Sequence, residues 1–321
     1  MRNTKGSAIV ARYGMPLVLL ALIAVLQVSN PDAGLLQWQN LKTILLQTSV
    51  LGFLSLGLSF VMIAGESDIS YAGTLGMMSA TFTMLVNSGV PYLPALAAII
   101  LIGMAIGLVI ALLVTKCGFS AFIISIAFMF MGLGVERSFN EGITIWMKSE
   151  SVLAIGKLEF AGMYALSWFM FVLFALAHFI VRYTRYGFQL RIIGENVQAG
   201  NEAGVKAPTV RVIAFLIAGA MFGVASTIEP IRMGGSIVGA GQSYMLPALA
   251  ACYLGSTMFT PGRVNVLGTL IGALFMTVIT NFMQLLSLPY YFPPLVQGSV
   301  LLVAVGISVF RSRDTIQQCK I

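Results

Sequence analysis

Long apolar runs separated by short polar connections make up most of the chain. A bilayer core of about 30 Å needs roughly 20 mainly apolar residues per helix. Ten runs fit this requirement, at about residues 14–30, 43–65, 71–88, 92–115, 118–135, 163–181, 211–230, 244–258, 264–285 and 290–310. The third and eighth runs are short and rich in Gly, Ser and Pro, so we expect broken or tilted helices there. The pattern predicts an all-α integral membrane protein with about ten transmembrane helices.

The predicted helices divide into two halves of five. The first half covers about 14–135 and the second about 163–310, with a polar segment at 136–162 expected outside the membrane. Because each half holds an odd number of spans, an internal repeat would be inverted across the membrane.

One pair of segments supports such a repeat. VMIAGESDISYAGTLGMMSA follows the second span, and PIRMGGSIVGAGQSYMLPALAA follows the seventh, which is its counterpart. Each contains an apolar helix, a Gly-rich polar break and a short helix of small residues. Gly-interrupted segments at matching positions of two halves indicate a transport pathway. Chance similarity of Gly-rich membrane sequence is the alternative.

Composition and charge agree with a membrane protein. Hydrophobic residues make up 58% of the chain and charged residues 9%, whereas about a quarter of a soluble domain is charged. The net charge of +7 includes no basic block with interleaved aromatics, so we expect no nucleic-acid partner. With both termini cytoplasmic, Lys42, Arg137, Lys148, Lys157 and Arg232 lie outside, and the other Lys and Arg residues lie inside. This is a positive-inside distribution.

Two carboxylates stand close together in VMIAGESDISYAG. Glu66 and Asp68 are two of only 11 acidic residues. The predicted spans place them at the cytoplasmic end of the second span, or in a break just inside it, where they can reach water. Asp68 stands just ahead of Ser70 and Tyr71 and is expected to accept from exposed backbone N–H groups there, and so to cap the third helix. The sequence offers no reason for an acidic residue at Glu66.

Three helices carry glycines four residues apart, a spacing that lets helix backbones approach closely. These pairs are Gly103/Gly107, Gly219/Gly223 and Gly268/Gly272. Packing within one bundle is a sufficient reason for all three.

The one long loop on the predicted cytoplasmic side covers 182–210. Asn196 is a good N-cap, VQAGNEA is long enough for about two helical turns, and Gly204 suits the position after a helix end, before Pro208. A short capped helix beneath the membrane favours a docking element. The alternative is a solvated basic loop that serves only to fix the orientation.

Sequence motifs for chemistry are absent from this chain. It has no GxxxxGK[ST] phosphate loop, no HExxH pair and no GxSxG elbow, so we expect no catalytic residue, no metal site and no cofactor. The single histidine, His178, is expected to be a packing residue near the inner end of the sixth span.

Three motifs together resemble a known family. AGESDIS with Gly73 resembles the signature Gly-Gly-x-Asp-Leu-Ser-x-Gly. YGFQLRIIGENVQAGNEAGV resembles the ATPase-contacting motif Gly-x-Asn-x-x-Ala-Ala-x-x-Ala-Gly-Ile, and LGTLIGALFMTVITNFMQLL with PYYFPPLVQGSVLLVAV resembles the C-terminal pattern. The family is that of permease subunits of carbohydrate-importing ABC transporters, the ribose/xylose/galactose permeases. The resemblance runs from before the second span to the last one, so we expect a single permease domain over 1–321.

The resemblance implies a dimeric pore in the bacterial inner membrane that imports a sugar by alternating access. Besides membrane lipid, the implied partners are a second permease subunit (identical or different), a separate subunit that binds ATP, and a periplasmic sugar-binding protein. The expected docking residues are Gly187, Arg191, Gly194, Asn196, Ala199, Ala203 and Gly204. The expected pathway and gating residues are Glu66, Asp68, Ser70, Ser236, Gln242, Asn281 and Gln284, with Ser67 and Ser243 as further polar candidates.

Some positions depart from the family pattern. Glu66 stands where the signature has its second glycine, Ala199-Gly200 replaces the paired alanines, and LGST at 254–257 replaces Leu-Gly-Gly. These departures leave the class of protein intact and the particular sugar open.

Other interpretations remain at this point. An ion-coupled secondary carrier would need ionisable groups in mid-membrane, and only Glu66, Asp68 and Glu229 come near such positions. An intramembrane enzyme ranks last, because no catalytic set is recognisable. For Asn281 and Gln284, hydrogen bonding between helices is as good an explanation as lining a pathway.

Overall fold

The computed structural model describes residues 17–18, 20–21, 23–30, 34–260 and 262–318, with the side chains of 140 and 308–318 left out. Most of these residues lie in α-helices, which confirms the all-α prediction. Residues 23–29 are helical, within the predicted first span at 14–30. The rest of that span lies partly outside the described residues, and so do both chain ends, which were predicted to be cytoplasmic.

Thirteen helices follow residue 34 in the described part of the chain. They are α1 (Trp38–Ile63), α2 (Tyr71–Asn87), α3 (Tyr92–Lys116), α4 (Ala121–Asn140), α5 (Glu150–Lys157), α6 (Ala165–Tyr183), α7 (Arg185–Glu195), α8 (Val197–Glu202), α9 (Ala207–Met233), α10 (Ala240–Ser243), α11 (Met245–Ser256), α12 (Val266–Leu285) and α13 (Phe292–Gln318). Four two-residue strands form two antiparallel pairs: β1 (Ile145–Trp146) with β4 (Gly235–Ser236), and β2 (Glu159–Phe160) with β3 (Met163–Tyr164).

Six of the described helices are long and apolar enough to cross a membrane. They are α1, α3, α4 up to Phe139, α6, α9 and α12. The third and eighth predicted spans correspond to α2 and α11, which have 17 and 12 residues, and both are short as the sequence predicted. The chain is therefore a multi-pass membrane protein, while the count of about ten spans stays a prediction.

The chain packs as two compact units. One consists of the described residues up to 48 together with those from 246 onward, and the other is Ser49–Met245. In the first unit, α11 and α12 pack backbone to backbone. An added Cβ at Gly272 would strike the carbonyl oxygen of Ala251, and one at Gly268 would strike that of Gly255. Two bare glycines are therefore a requirement of this contact.

Close helix contact also organises the unit Ser49–Met245. Helices α3 and α9 cross where Gly103 faces Gly219, and an added Cβ at either glycine would strike the carbonyl oxygen of the other. A Cβ at Gly107 would strike the carbonyl oxygen of Phe215, and one at Gly223 would lie 2.9 Å from the Cα of Ile100. The predicted role of all three glycine pairs in helix packing is confirmed, and two of the pairs face each other.

Candidate functional site

The first break in the helices covers residues 64–70. Helix α1 ends at Ile63, and Gly65 turns the chain with a φ of +82°, in the left-handed region that favours glycine. The Oδ1 atom of Asp68 then accepts a hydrogen bond of 2.8 Å from the backbone N–H of Ser70, immediately before α2 begins at Tyr71. The hydrogen bond predicted for Asp68 ahead of α2 is therefore present.

This break rises deep into the helix bundle. Glu66 pairs with Arg211, near the start of α9, at 3.0 Å. The ring of Tyr71 lies 5.3 Å from that of Phe222, which is eleven residues further along the same helix. Eleven residues of α-helix span about 16 Å. Helix α2 therefore begins near mid-length of the neighbouring α9.

The depth of the break corrects one prediction about Asp68. We expected this carboxylate to reach water, but Asp68 is only 1% exposed. Together with Ser70, it lines a closed crevice against Gly103, Gly107 and Gly219. The prediction was wrong because the hydropathy pattern locates where a helix starts along the chain and contains no information on how far inward the preceding break extends.

Glu66 has a clear role in the structure that no sequence pattern indicated. Its carboxylate forms a partly buried ion pair with the Arg211 guanidinium, and the two side chains are 17% and 22% exposed. Burial raises the pKa of Glu66, while the charge of Arg211 acts in the opposite direction. The ion pair accounts for an acidic residue where the family signature has glycine. Sequence reasoning missed it because Arg211 lies 145 positions away.

The second break covers residues 234–244, between the end of α9 and the start of α11. Gly234 ends the helix with a φ of +80°, and Gly239 turns the chain again with a φ of +74°. A partly buried cluster holds the two sides of this break together. Glu229 accepts hydrogen bonds from Arg232 at 3.0 Å and from the Tyr244 hydroxyl at 2.9 Å. The sequence identified Glu229 as an ionisable group near mid-membrane, and the structure shows that its charge is paired.

The two breaks meet. A Cβ at Gly241, in α10, would lie 2.7 Å from the carbonyl oxygen of Ala72, in the first turn of α2. The Tyr71 hydroxyl donates a hydrogen bond of 2.8 Å to the carbonyl oxygen of Met245, where α11 begins. Two irregular segments that are far apart in sequence thus share one place inside the unit Ser49–Met245. This meeting point is the candidate functional site.

The other predicted pathway residues in this unit lie along the breaks. Ser236 is buried in β4, whereas Gln242 and Ser243 are exposed in α10 and Ser67 is partly exposed in the first break. The structure thus brings both breaks together without gathering all of the predicted polar side chains into one cluster.

Asn281 and Gln284 lie in the other unit and bond between helices. Asn281 exchanges hydrogen bonds of 3.0 and 3.1 Å with Asn40. The Gln284 carbonyl accepts from Gln47 at 3.4 Å. Of the two explanations considered for these residues, the structure shows the hydrogen bonds between helices.

Glu136 is a site residue that sequence reasoning missed. It was assigned to the external segment 136–162, but it lies within α4 and is fully buried. Its Oε1 atom accepts a hydrogen bond of 3.0 Å from the backbone N–H of Gly239, and its carboxylate fills the space beside Gly76 of α2. The assignment was wrong because an acidic residue ends an apolar run, whether or not the helix continues.

The predicted docking element has the local structure that the sequence indicated. The Asn196 side chain caps α8 by accepting from the backbone N–H of Ala199 at 3.0 Å. Gly204 follows the helix with a φ of +79°. Asn196, Ala199, Ala203 and Gly204 are all exposed, so this surface is free for contact with another molecule.

The preceding helix α7 connects this surface to the first break. An added Cβ at Gly194 would strike the carbonyl oxygen of Ile63, and one at Gly65 would lie 3.3 Å from the Cα of Gly194. At its other end, α7 packs Gly187 against the carbonyl oxygen of Val181, and the Nε of Arg191 donates to the carbonyl oxygen of Gly187 at 3.2 Å.

Gly200 has a packing reason to depart from the family pattern. A Cβ at this position would lie 2.5 Å from the Cδ1 of Ile193, a buried residue of α7. Alanine would therefore require the Ile193 side chain to move. The α7–α8 pair buries this branched side chain over a bare glycine.

Membrane-length helices around two broken segments that meet in the protein interior define a solute permease. Residues 40–305 match the family described as "Branched-chain amino acid transport system / permease component". The chain belongs to this family. The expectation that it is a permease of the ABC-transporter class is confirmed.

Several curated proteins are similar over almost their whole length. The ribose import permease protein RbsC of Haemophilus influenzae is 30% identical over 293 residues, which cover 90% of each chain. The L-arabinose ABC transporter permease protein AraH of Azospirillum brasilense is 26% identical, with 94% of this chain and 89% of the relative covered. The autoinducer 2 import system permease protein LsrC of Salmonella paratyphi B is 27% identical, with 88% and 81% covered. No solved structure matches.

Proposed function

We propose that this chain is the transmembrane subunit of an ATP-driven importer of a sugar or sugar-like solute. It works by alternating access in the bacterial inner membrane, with both termini cytoplasmic. A separate subunit binds and hydrolyses ATP, a periplasmic binding protein delivers the solute, and a second permease subunit, identical or different, completes the pore.

The meeting of the two breaks carries this proposal. Irregular backbone inside a membrane protein is tolerated where it is buried in protein or lines a cavity. Here, both breaks are held by specific contacts, the Tyr71–Met245 hydrogen bond and the close approach of Gly241 to Ala72. A rearrangement that separates the second break from α2 would open a route between them. The closed crevice at Asp68 and Ser70 is where such a route would begin on the other side.

The exposed surface of α8 supports a partner that supplies the energy. Alternating access requires that ATP binding favour one of two arrangements, so the ATPase must make different contacts in each. The surface formed by Asn196, Ala199, Ala203 and Gly204 is exposed, and α7 connects it to the first break through Gly194.

The substrate class follows from the relatives and from the polar groups near the breaks. Relatives are named for the import of ribose, L-arabinose and autoinducer 2, of which the first two are sugars. A neutral sugar requires hydrogen-bonding groups and no fixed counter-ion. Ser70, Ser236 and Gln242 are groups of this kind. The charges of Glu66 and Glu229 are satisfied by Arg211 and Arg232.

The test disrupts α8 without touching the membrane helices. Asn196→Pro and Gly204→Trp should abolish solute uptake and ATPase binding, while the chain still inserts. Gly118→Trp is the matched control. Like Gly204, Gly118 has a positive φ and no atom within 4 Å of an added Cβ, but it lies outside the docking element.

Uptake is measured in proteoliposomes that contain the whole transporter, and ATPase binding by copurification. Normal uptake by the two α8 variants would refute the docking assignment. Uptake driven by a proton or sodium gradient in vesicles without any ATPase would instead show an ion-coupled secondary carrier.

A further inference from the structure

Five buried side-chain polar atoms in the unit Ser49–Met245 have no hydrogen-bond partner among the described residues, and three of them belong to α2, to α4 and to the second break. These three are the Oε2 atom of Glu136 and the hydroxyl oxygens of Ser79 and Ser236. All three side chains are at most 1% exposed. More than nine in ten buried polar groups in folded proteins have a partner, so each exception requires a reason.

The three groups lie on α2 or on segments that pack against it. The Glu136 carboxylate fills the space beside Gly76, where any larger residue would overlap it. Ser79 lies almost one helical turn beyond Gly76 on the same helix. Ser236 comes three residues before Gly239, whose N–H binds the other carboxylate oxygen at 3.0 Å. The Glu136 carboxylate of α4 therefore lies between α2 and the second break.

The chemistry of the three groups suits a polyhydroxy ligand. A carboxylate oxygen accepts from a hydroxyl, and hydrogen bonds to a charged acceptor are shorter and about twice as strong as neutral ones. Each serine hydroxyl can both donate and accept. A single carboxylate is a poor site for a divalent cation, because Ca²⁺ takes six to eight oxygen ligands. Neighbouring hydroxyls of a sugar can use one acceptor and two donor–acceptors together.

We propose that Glu136, Ser79 and Ser236 form a subsite for the hydroxyl groups of a polyhydroxy solute in transit. This inference rests on the proposed function and adds the residues that recognise the solute inside the membrane. In this structure, the second break lies against α2 and the subsite is closed. Movement of Gly239 and its neighbours away from α2 exposes the three groups together.

The experiment compares sugars that differ by one hydroxyl. The whole transporter is reconstituted in proteoliposomes and offered D-ribose, L-arabinose, D-xylose and D-galactose. A sugar that the wild type imports is then compared with its monodeoxy analogues. The variants are Glu136→Gln and Ser236→Ala. The control is Glu141→Gln, an exposed carboxylate just past the end of α4.

A subsite predicts a specific pattern of uptake. Glu136→Gln should lower uptake of the parent sugar about tenfold or more, because the variant loses a charge-assisted hydrogen bond to the sugar. One monodeoxy analogue, which lacks the bound hydroxyl, should be imported equally by the wild type and the variant. Ser236→Ala should lower uptake of the parent sugar less. A different monodeoxy analogue should be imported equally by this variant and the wild type. Glu141→Gln should import every sugar as the wild type does.

Other outcomes separate this inference from the proposed function. The subsite is refuted if Glu136→Gln and Ser236→Ala lower uptake of the parent sugar and of all analogues by one common factor. It is also refuted if they change the uptake of none of them. Neither result contradicts the proposed importer function. A Glu136→Gln chain that fails to insert leaves the decision to the Ser236→Ala analogue series. If uptake of the imported sugar by the wild type does not depend on ATP, the proposed function is overturned together with the subsite.

Discussion

The Glu66–Arg211 ion pair offers the most direct test of how the first break is held. The perturbation is a set of three variants, Glu66→Gln, Arg211→Gln and the double substitution. Glutamine keeps most of the length and polarity of both side chains, so each change removes charge with little change in packing. The set forms a double-mutant cycle, which isolates the interaction between the two residues.

The expected coupling free energy follows from the distance between the two charged groups and from the exposure of their side chains. Opposite charges at 3.0 Å attract by about 5–6 kcal/mol at an effective dielectric constant near 20. Removing two charges from water costs several kcal/mol and offsets most of this attraction. Fully exposed pairs show coupling of about 0.2–1 kcal/mol. Because both side chains are about four-fifths buried, we expect a coupling free energy of about 1–2 kcal/mol.

Both single variants should be destabilised, and the sum of their two losses should exceed the loss in the double variant. Glu66→Gln leaves the Arg211 guanidinium without its counter-charge, and the Nε of Arg211 already has no partner among the described residues. A partly buried charge without compensation destabilises a protein by about 2 kcal/mol or more. The double variant removes both charges and should recover part of that loss.

The assay is unfolding of the detergent-solubilised chain by titration with sodium dodecyl sulfate, under conditions where refolding is complete. The free energy of unfolding is compared for the wild type and the three variants at low and high salt. A coupling free energy that falls only slightly with salt is expected, because partly buried pairs are weakly screened. Additive single variants, with coupling below about 0.3 kcal/mol, would show that the pair contributes nothing to holding the break.

Two further predictions concern helix packing. Gly73→Ala should lower the free energy of unfolding by about 2–3 kcal/mol, because its Cβ would overlap the carbonyl oxygen of Met129. The control is Gly134→Ala, because an added Cβ there meets open space. An equal loss of stability in the control would contradict the packing argument. Asn40→Ala and Asn281→Ala should each cost about 1 kcal/mol, with coupling near 0.6 kcal/mol, since the two amides bond to each other across helices. Additivity in the same unfolding titration would exclude a direct contribution from that bond.

Local patterns allowed the helices and their caps to be predicted. Apolar runs of membrane length gave the helices, because a bilayer requires both apolar side chains and satisfied backbone groups. The cap at Asn196 and the turn at Gly204 were also predictable, because each depends on residues within a few positions. The glycine pairs indicated close helix contacts, although the sequence did not show that Gly103 would face Gly219.

The site itself depends on contacts between distant residues, and here sequence reasoning reached its limit. The depth of Asp68 is fixed by the packing of Tyr71 on Phe222, which no local pattern specifies. Glu136 ends an apolar run and was therefore placed outside, yet α4 continues past it and buries it under the second break. A single sequence shows which residues are unusual, and it takes the fold to show what satisfies them.

Backbone contacts link the predicted docking element around α8 to the meeting point of the breaks. Gly194 of α7 has no side chain and lies against the backbone carbonyl of Ile63, so the contact contains no flexible side chain that could adjust when α7 moves. The end of α1 must then follow α7, or a gap must open between them, and buried gaps are costly because protein interiors are close-packed. The chain from Ile63 continues through the first break to Tyr71, whose hydroxyl holds the second break at Met245. A displacement of α8 by a partner would therefore reach both breaks through stiff contacts, and this stiffness is what coupling between an ATPase and a solute pathway requires.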